Sequence, residues 1–446
     1  MTHQDQAKPR ATLSVLDGAL MMVGIIIGIG IFKTPQLVAM FTPNEWVFVG
    51  VWIAGGVATL IGALVYAELA AAYPSTGGEY HFLRRALGRD VSFLFAWART
   101  TVIQTGAIAA VAYVLGDYAQ GLLSLGPYGS TVYAAIALLA LTALNIAGTY
   151  ESKTAQNILT LVLVAAMLLI VLIGFMGMGS AAAKPAAASG GSGYGMLGLA
   201  MVFILLTYGG WNEAAYLSAD VRDVRRDMIR ILLTGTAIVT TVYVLVNIAY
   251  LMVLGMDGLR KSDTIAADVM RTGFGAAGAT VVSLIVCVAA LSTMNASIFT
   301  GARLYHALGQ DLSLEKLRVW DAVRNNPRNA IVAQSAIAFV LVCFGAFARD
   351  GFKSMVEYTA PVFWFFLMLV GVSLFVLRQR DPDRERPFKV PLYPLTPALF
   401  CLICAYLLYS SLAYTGRGAL FGVAVLLLGV PVMLWARGKQ SAVPAE

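Results

Sequence analysis

Gly24-Ile25-Ile26-Ile27-Gly28-Ile29-Gly30-Ile31-Phe32 lies inside the first long hydrophobic segment of the chain and interrupts it with glycine. Glycine is a poor helix former, and a backbone that unwinds there frees N–H and C=O groups that hydrocarbon cannot satisfy. Such a break is tolerated only beside something that uses those groups. A second break, Tyr208-Gly209-Gly210-Trp211-Asn212, falls in the middle of another apolar segment. Interrupted hydrophobic segments in corresponding places of two halves point to the binding site of a secondary transporter.

Of the 446 residues, 59% are hydrophobic and 12% charged, about half the charged share of an ordinary soluble domain. The chain therefore reads as a polytopic membrane protein whose surroundings are the lipid bilayer. No cleavable signal peptide is expected, because Met1 to Arg10 is polar and the first apolar run is too long for a signal sequence. The net charge of +7 is assigned to basic loops on one membrane face and not to nucleic acid. Cys287, Cys343, Cys401 and Cys404 all fall in apolar runs. Cys401 and Cys404 have CxxC spacing without a second pair or a nearby histidine, so packed thiols are expected, with no metal and no cofactor.

Twelve spans of sufficient length follow one another, at about 14–41, 46–73, 91–123, 130–148, 154–177, 195–220, 230–255, 277–307, 329–348, 354–378, 393–413 and 418–436. An even number puts both termini on one face. Most basic residues of the connections, among them Arg84, Arg85, Arg222, Arg225, Arg226, Arg378 and Arg386, lie on that face, which makes it cytoplasmic. The whole chain, 1–446, is read as one transport domain: a cytoplasmic N-terminus (1–13), a first repeat of five spans (14–180), a second (195–380) and two further helices (390–437). Each half begins with a broken helix, and an odd number of spans per half inserts the halves with opposite topology. The expected fold is all-α, about twelve transmembrane helices as a 5+5 inverted repeat with helices 1 and 6 unwound, in the cell inner membrane.

At the first break, N–H groups at the start of the outer half-helix carry the positive end of its dipole and suit a carboxylate. Free carbonyls near Ile26, Ile27 and Gly28 suit an ammonium or a small cation. The alternative is that the glycines only permit close helix packing. Leu206, Thr207, Tyr208 and Gly209 offer the same groups at the second break. An amino acid carries one carboxylate and one ammonium on one carbon, and two facing breaks supply partners for both. Ile29, Ile31 and Leu206 would then meet its side chain.

These residues also carry a resemblance. Gly28-Ile29-Gly30-Ile31-Phe32 resembles the first-helix motif of the amino acid, polyamine and organocation (APC) transporters. Tyr208-Gly209-Gly210-Trp211-Asn212 resembles the sixth-helix motif of their L-type amino acid transporter branch. Tyr66-Ala67-Glu68-Leu69, Tyr73-Pro74, Gly77-Gly78-Glu79-Tyr80, the 295–303 run and Arg386-Pro387-Phe388 extend it over nearly the whole chain. The resemblance implies the leucine-transporter-like fold, amino acid transport by alternating access, and no catalytic residues. Three departures bear on selectivity. Ile29 stands where the family often has serine or alanine, Leu206 where many L-type members have an aromatic gate, and Leu163 where many prokaryotic relatives have a lysine thought to replace sodium. Eukaryotic members join a glycoprotein through a cysteine after span 3. Leu122 to Thr131 contains none, so no disulfide-linked subunit is expected, and the chain reads as a monomer or weak homo-oligomer.

Without that lysine, a coupling site could be built from the Ile25, Ile26 and Gly28 carbonyls with the Ser292 and Thr293 hydroxyls. These hydroxyls equally suit helix-to-helix bonds. Exchange or proton coupling is preferred to sodium. Arg99 in span 3 is either a site residue or a side chain reaching for the cytoplasmic surface, and Gln104 either lines the cavity or bonds a neighbouring helix. Glu68, Glu213 and Asp220, with Arg84, Arg85, Arg222, Arg225 and Arg226, are expected in an intracellular gate. Trp211, Tyr358, Phe363 and Trp364 either cover the pocket or pack. No acidic residue stands at either break except Glu213 just after it, so neutral, apolar substrates are expected ahead of cationic ones. Three histidines without a ligand pattern, and no phosphate loop, argue against an enzyme or an ATP-driven pump, and the two breaks argue against a channel.

Overall fold

The computed structural model describes residues 15, 19, 22–23, 26–75, 78–147, 165–176, 196–212, 224–311, 316–317, 319, 327–348, 350–413 and 417–441. Ile25, Leu163, Glu213, Asp220 and Arg222 lie outside them. Among the described residues the regular structure is helical. A 3-10 turn, Ile29–Phe32, leads into α1 (Thr34–Phe41), then α2 (Glu45–Ala72), α3 (Gly78–Leu87) and α4 (Arg89–Ala98). A π-turn at Arg99–Ile103 joins α4 to α5 (Gln104–Leu122), followed by α6 (Gly129–Ala147), α7 (Ala165–Phe175) and α8 (Leu197–Thr207). The remainder comprises α9 (Val224–Lys261), α10 (Ile265–Asp311), α11 (Arg328–Gly345), α12 (Gly351–Arg380), α13 (Leu395–Ala413), α14 (Arg417–Leu427) and α15 (Gly429–Ser441).

Nine helical stretches among the described residues are long and apolar enough to cross a membrane, and α7 and α8 are shorter apolar helices. Their ends have local causes. The Asn44 side chain accepts from the Val47 N–H at 2.9 Å and starts α2, and the Asp350 side chain accepts from the Lys353 N–H at 3.0 Å and starts α12. Each satisfies a backbone donor that the first helical turn leaves without a partner.

The connection expected between about 255 and 277 is itself helical. α9 bends at Gly255 (φ 64°) and α10 at Gly275 (φ 62°), a backbone region in which a Cβ is disfavoured. The segment between the bends folds back as two short helices around Ser262-Asp263-Thr264. Here the outer face is the one where α1 ends and α2 begins, and this segment lies on it.

α2 packs against α8, α9 and α13, and α5 against α6, α10 and α12. Gly55 and Gly56 make the first of these contacts close, since a Cβ would collide with Ile204 at Gly55 and with Thr240 at Gly56. Small residues permitting close helix approach is the usual device where lipid offers no hydrophobic drive.

Candidate functional site

At the first break the α-helical pattern ends with the Ile27 N–H donating to Val23 O at 2.8 Å. Gly28 is extended (φ −106°, ψ −168°). The chain then winds into the 3-10 turn, which the Lys33 N–H closes onto Gly30 O at 3.1 Å. The first N–H groups of such a turn, on Ile29 and Gly30, have no partner within it. At the second break the Gly209 N–H folds back to Leu206 O at 3.1 Å, and Gly210 has φ 104°.

The two breaks meet. A Cβ on Gly30 would lie 3.2 Å from Thr207 Cγ2, and the Thr207 hydroxyl is 2.7 Å from that of Thr34. Tyr243 of α9 joins them from behind. Its hydroxyl donates to Ile26 O at 2.9 Å and lies 3.4 Å from Thr207 O. Its ring packs on Tyr208 and Trp52. Ile27, Ile29, Ile31, Thr207 and Tyr208 are buried, whereas Gly28, Gly30, Leu206, Gly209 and Gly210 are only half-buried. The accessible groups at the junction are thus largely backbone, with donors and acceptors close together, as a zwitterion requires. The Ile26 carbonyl also accepts from the Gly28 N–H at 2.7 Å, so Tyr243→Phe removes one of its two donors and is expected to cost about 0.5–1.5 kcal/mol of stability, read as a fall in the unfolding temperature of the purified protein.

On the inner side of the second break lies a buried polar cluster. Glu79 of α3 accepts from the Tyr66 hydroxyl at 2.6 Å and from Asn212 Nδ2 at 2.9 Å through one oxygen, and from Arg99 Nη1 at 2.8 Å through the other. The Glu79 side chain is 4% exposed and that of Arg99 14%. Arg99 is therefore held inside the protein by a carboxylate and does not extend to the surface. It begins the π-turn, where Tyr305 and Tyr358 hydroxyls donate to Thr100 O (2.6 Å) and Thr101 O (3.0 Å). A π-turn misaligns backbone carbonyls, and here tyrosines meet them.

The other expected site residues have these places. Gln104 donates to Ser297 O of α10 at 3.1 Å, a helix-to-helix bond, and is half-buried. α10 packs against the 3-10 turn, with Ser292 buried and Thr293 half-buried. Trp211 stacks edge-on against Tyr66 (4.8 Å) and near Phe400 (6.2 Å), and Phe363 against Trp364 (4.9 Å).

Glu68 does not meet Arg84 or Arg85. It is fully buried and accepts from Arg378 Nε (2.8 Å), Arg378 Nη2 (2.6 Å) and the Val390 N–H (2.6 Å), with Arg386 Nε at 3.6 Å. This clamps the connection after α12 onto α2. Arg85 instead pairs with Asp381 at 3.0 Å. The Tyr73 hydroxyl and then Arg85 hold the Asp381 carboxyl below the usual carboxylate range. A depressed carboxyl pKa stabilises the fold above the unfolded-state value and loses that contribution as pH falls through the folded-state value. The unfolding temperatures of the wild type and Asp381→Asn should accordingly differ at neutral pH and converge as the solution is acidified below about pH 4.

The family model for amino acid permeases matches residues 13–435. The chain belongs to the amino acid permease family. Within the APC superfamily it falls in the L-type branch. The b(0,+)-type amino acid transporter 1 of Mus musculus is 27% identical over 423 residues, covering 92% of the permease and 85% of that protein. The cystine/glutamate transporter of Homo sapiens is 26% identical over 441 residues, 96% and 85% of the two chains. The serine/threonine exchanger SteT of Bacillus subtilis is 26% identical over 446 residues, 99% of the permease and all of the exchanger. The permease is a transporter and not an enzyme.

Sequence reasoning passed over Glu79 as a partner for Arg99, Tyr243 as the link between the breaks, and the Lys33–Asp117 pair at 3.0 Å. The signal for the last was present, since Lys33 and Asp117 are opposite charges near the outer ends of spans 1 and 3. The others depend on which helix faces which, and span order alone does not fix that.

Proposed function

We propose that the permease exchanges neutral, mainly apolar L-amino acids, or takes them up with protons, by alternating access around the junction of the two breaks. The observation that carries this reading is the approach of Gly30 to Thr207, which brings the donors of one broken helix beside the carbonyls of the other. Backbone groups would hold the substrate's carboxylate and ammonium, and Ile29, Ile31 and Leu206 its side chain. The preference for neutral substrates rests on Glu79 already being engaged by Arg99, Tyr66 and Asn212. The frame is twelve helices in a 5+5 inverted repeat with both termini in the cytoplasm, in the cell inner membrane, as a monomer or weak homo-oligomer. The loop after α5 lacks cysteine, so no disulfide-linked subunit is included.

The Ile26 carbonyl, a proposed sodium ligand, already accepts from Tyr243, which favours sodium-independent transport. The test is uptake of a panel of labelled amino acids into proteoliposomes, with and without internal amino acid, sodium and a pH gradient. Uptake stimulated by internal neutral amino acid or by an inward proton gradient is expected. Uptake that requires sodium, and loses that requirement in Thr293→Ala, would replace this reading with a sodium symporter.

A further inference from the structure

Lys33 directly follows the first break, at the start of α1, and is 2% exposed. Its ammonium lies 3.0 Å from Asp117 Oδ2 of α5 and 3.5 Å from Asp263 Oδ1 in the connection between α9 and α10. Asp117, whose side chain is 19% exposed, also bonds the Ser130 side chain. Asp263 is 78% exposed and accepts from Gln36 Nε2 at 3.1 Å. Gln36 is itself buried, and among the described residues its Oε1 has no donor. An orphaned acceptor on a side chain bonded to Asp263 marks a place for one more donor, such as a water. The other ionisable groups around the pair are Asp350 at the start of α12, Tyr113 and Tyr118 of α5, Asp268 of α10, and Arg260 of α9.

These contacts fasten the outer half of the first span. Lys33 and Gln36 tie it to α5 and to the connection after α9. The Tyr118 hydroxyl donates to Phe32 O at 3.1 Å, and Arg260 donates to Ala39 O and Thr42 O at 2.9 and 3.0 Å. These contacts lie between the outer ends of α1, α5 and the connection after α9. If those elements part, Lys33 leaves Asp117, and a largely buried carboxylate loses its counter-charge.

We propose that Lys33 and Asp117 form an outer gate that doubles as the permease's proton-binding site; this rests on the transport reading above. With the gate open, Asp117 takes a proton from the outer solution, while Lys33 stays charged beside the exposed Asp263. On closure the Lys33 ammonium returns to Asp117, and the carboxylic acid gives its proton to water on the inward side of the gate and becomes a carboxylate; the hydronium so formed leaves through the substrate path when the inner side opens. One proton crosses per closure, with water as its acceptor. A charged residue within a span is costly unless paired, and this lets a single ammonium decide whether the carboxyl holds its proton.

The test uses the full chain in proteoliposomes that contain a pH-sensitive dye, with external labelled L-serine or L-leucine as the probe. The wild type is expected to acidify the lumen as the amino acid enters. In Asp117→Asn, and in the neutral pair Lys33→Met with Asp117→Asn, acidification per amino acid should fall about tenfold or more, while exchange against internal amino acid continues. The double variant removes both charges together, so it leaves no stranded ion to unfold the protein. Substrate-driven acidification that persists in the double variant would overturn the proposal. So would exchange by the wild type without proton movement, which leaves the transport reading standing. Failure of the wild type to exchange any amino acid of the panel would overturn that reading and the proton site with it.

Discussion

Arg99→Met is expected to destabilise the permease by about 3–5 kcal/mol, because it takes away the cation that lies 2.8 Å from the Glu79 carboxylate in a buried site. Glu79 is 4% exposed, and Tyr66 and Asn212, which also donate to it, are neutral and do not balance its charge. The loss should appear as a lower unfolding temperature and poorer recovery of folded protein in detergent. Adding Glu79→Gln should restore most of it, since an uncharged pair carries no stranded ion, and the restoration measures the coupling between the two residues. The effect reaches the substrate site because Asn212 follows the second break directly. If Arg99→Met alone were as stable as the wild type, the cluster would be a solvated surface contact and not an inner closure.

Glu68→Leu should cost a similar amount, about 3–5 kcal/mol, through the opposite stranding. It removes the carboxylate shared by Arg378, Arg386 and the Val390 N–H. The Arg378 guanidinium would keep its stack on Tyr393, 3.8 Å from the ring centre, but lose its counter-ion. The connection after α12 should then detach from α2. Limited proteolysis would find it by cleavage near Arg380, Arg384 and Arg386 at protease levels that leave the wild type whole. Glu68→Gln should be milder, because the amide oxygen can still accept from one arginine.

Much of the molecule was legible before any coordinates. Composition and the spacing of apolar runs give a membrane bundle, and several helix ends fall close to the expected boundaries; the span read to end at 255 stops where Gly255 bends the chain. Glycine placement marks both breaks, although of their described glycines only Gly210 (φ 104°) adopts a backbone region that disfavours a side chain. What stayed illegible concerns contacts between distant segments. Sequence order groups Glu68 with Arg84 and Arg85, yet the helix directions carry it to Arg378. The segment between Gly255 and Gly275 read as a loop because its helices are too short to register as apolar spans. The pairings of Arg99 and Lys33 required knowing which helix faces α4–α5 and which faces α1. Leucine at position 206 in place of a ring, and isoleucine at 29, are visible in sequence, but their effect on the pocket follows from Leu206 being half-buried beside the junction.

The junction of the two breaks is the proposed place where an amino acid is held. The most direct measurement is equilibrium binding of labelled amino acids to the purified protein, comparing the wild type with Gly30→Val and Gly209→Val. The added side chain would press on Thr207 at Gly30 and on the Leu206 carbonyl, 2.8 Å from a Cβ, at Gly209. Gly50→Val, where a Cβ meets nothing within 4 Å, serves as the control. Saturable binding in the wild type and in Gly50→Val, weakened at least about tenfold in both break variants, is the predicted result, the equivalent of about 1.4 kcal/mol or more. Binding of equal strength in all four proteins would contradict it.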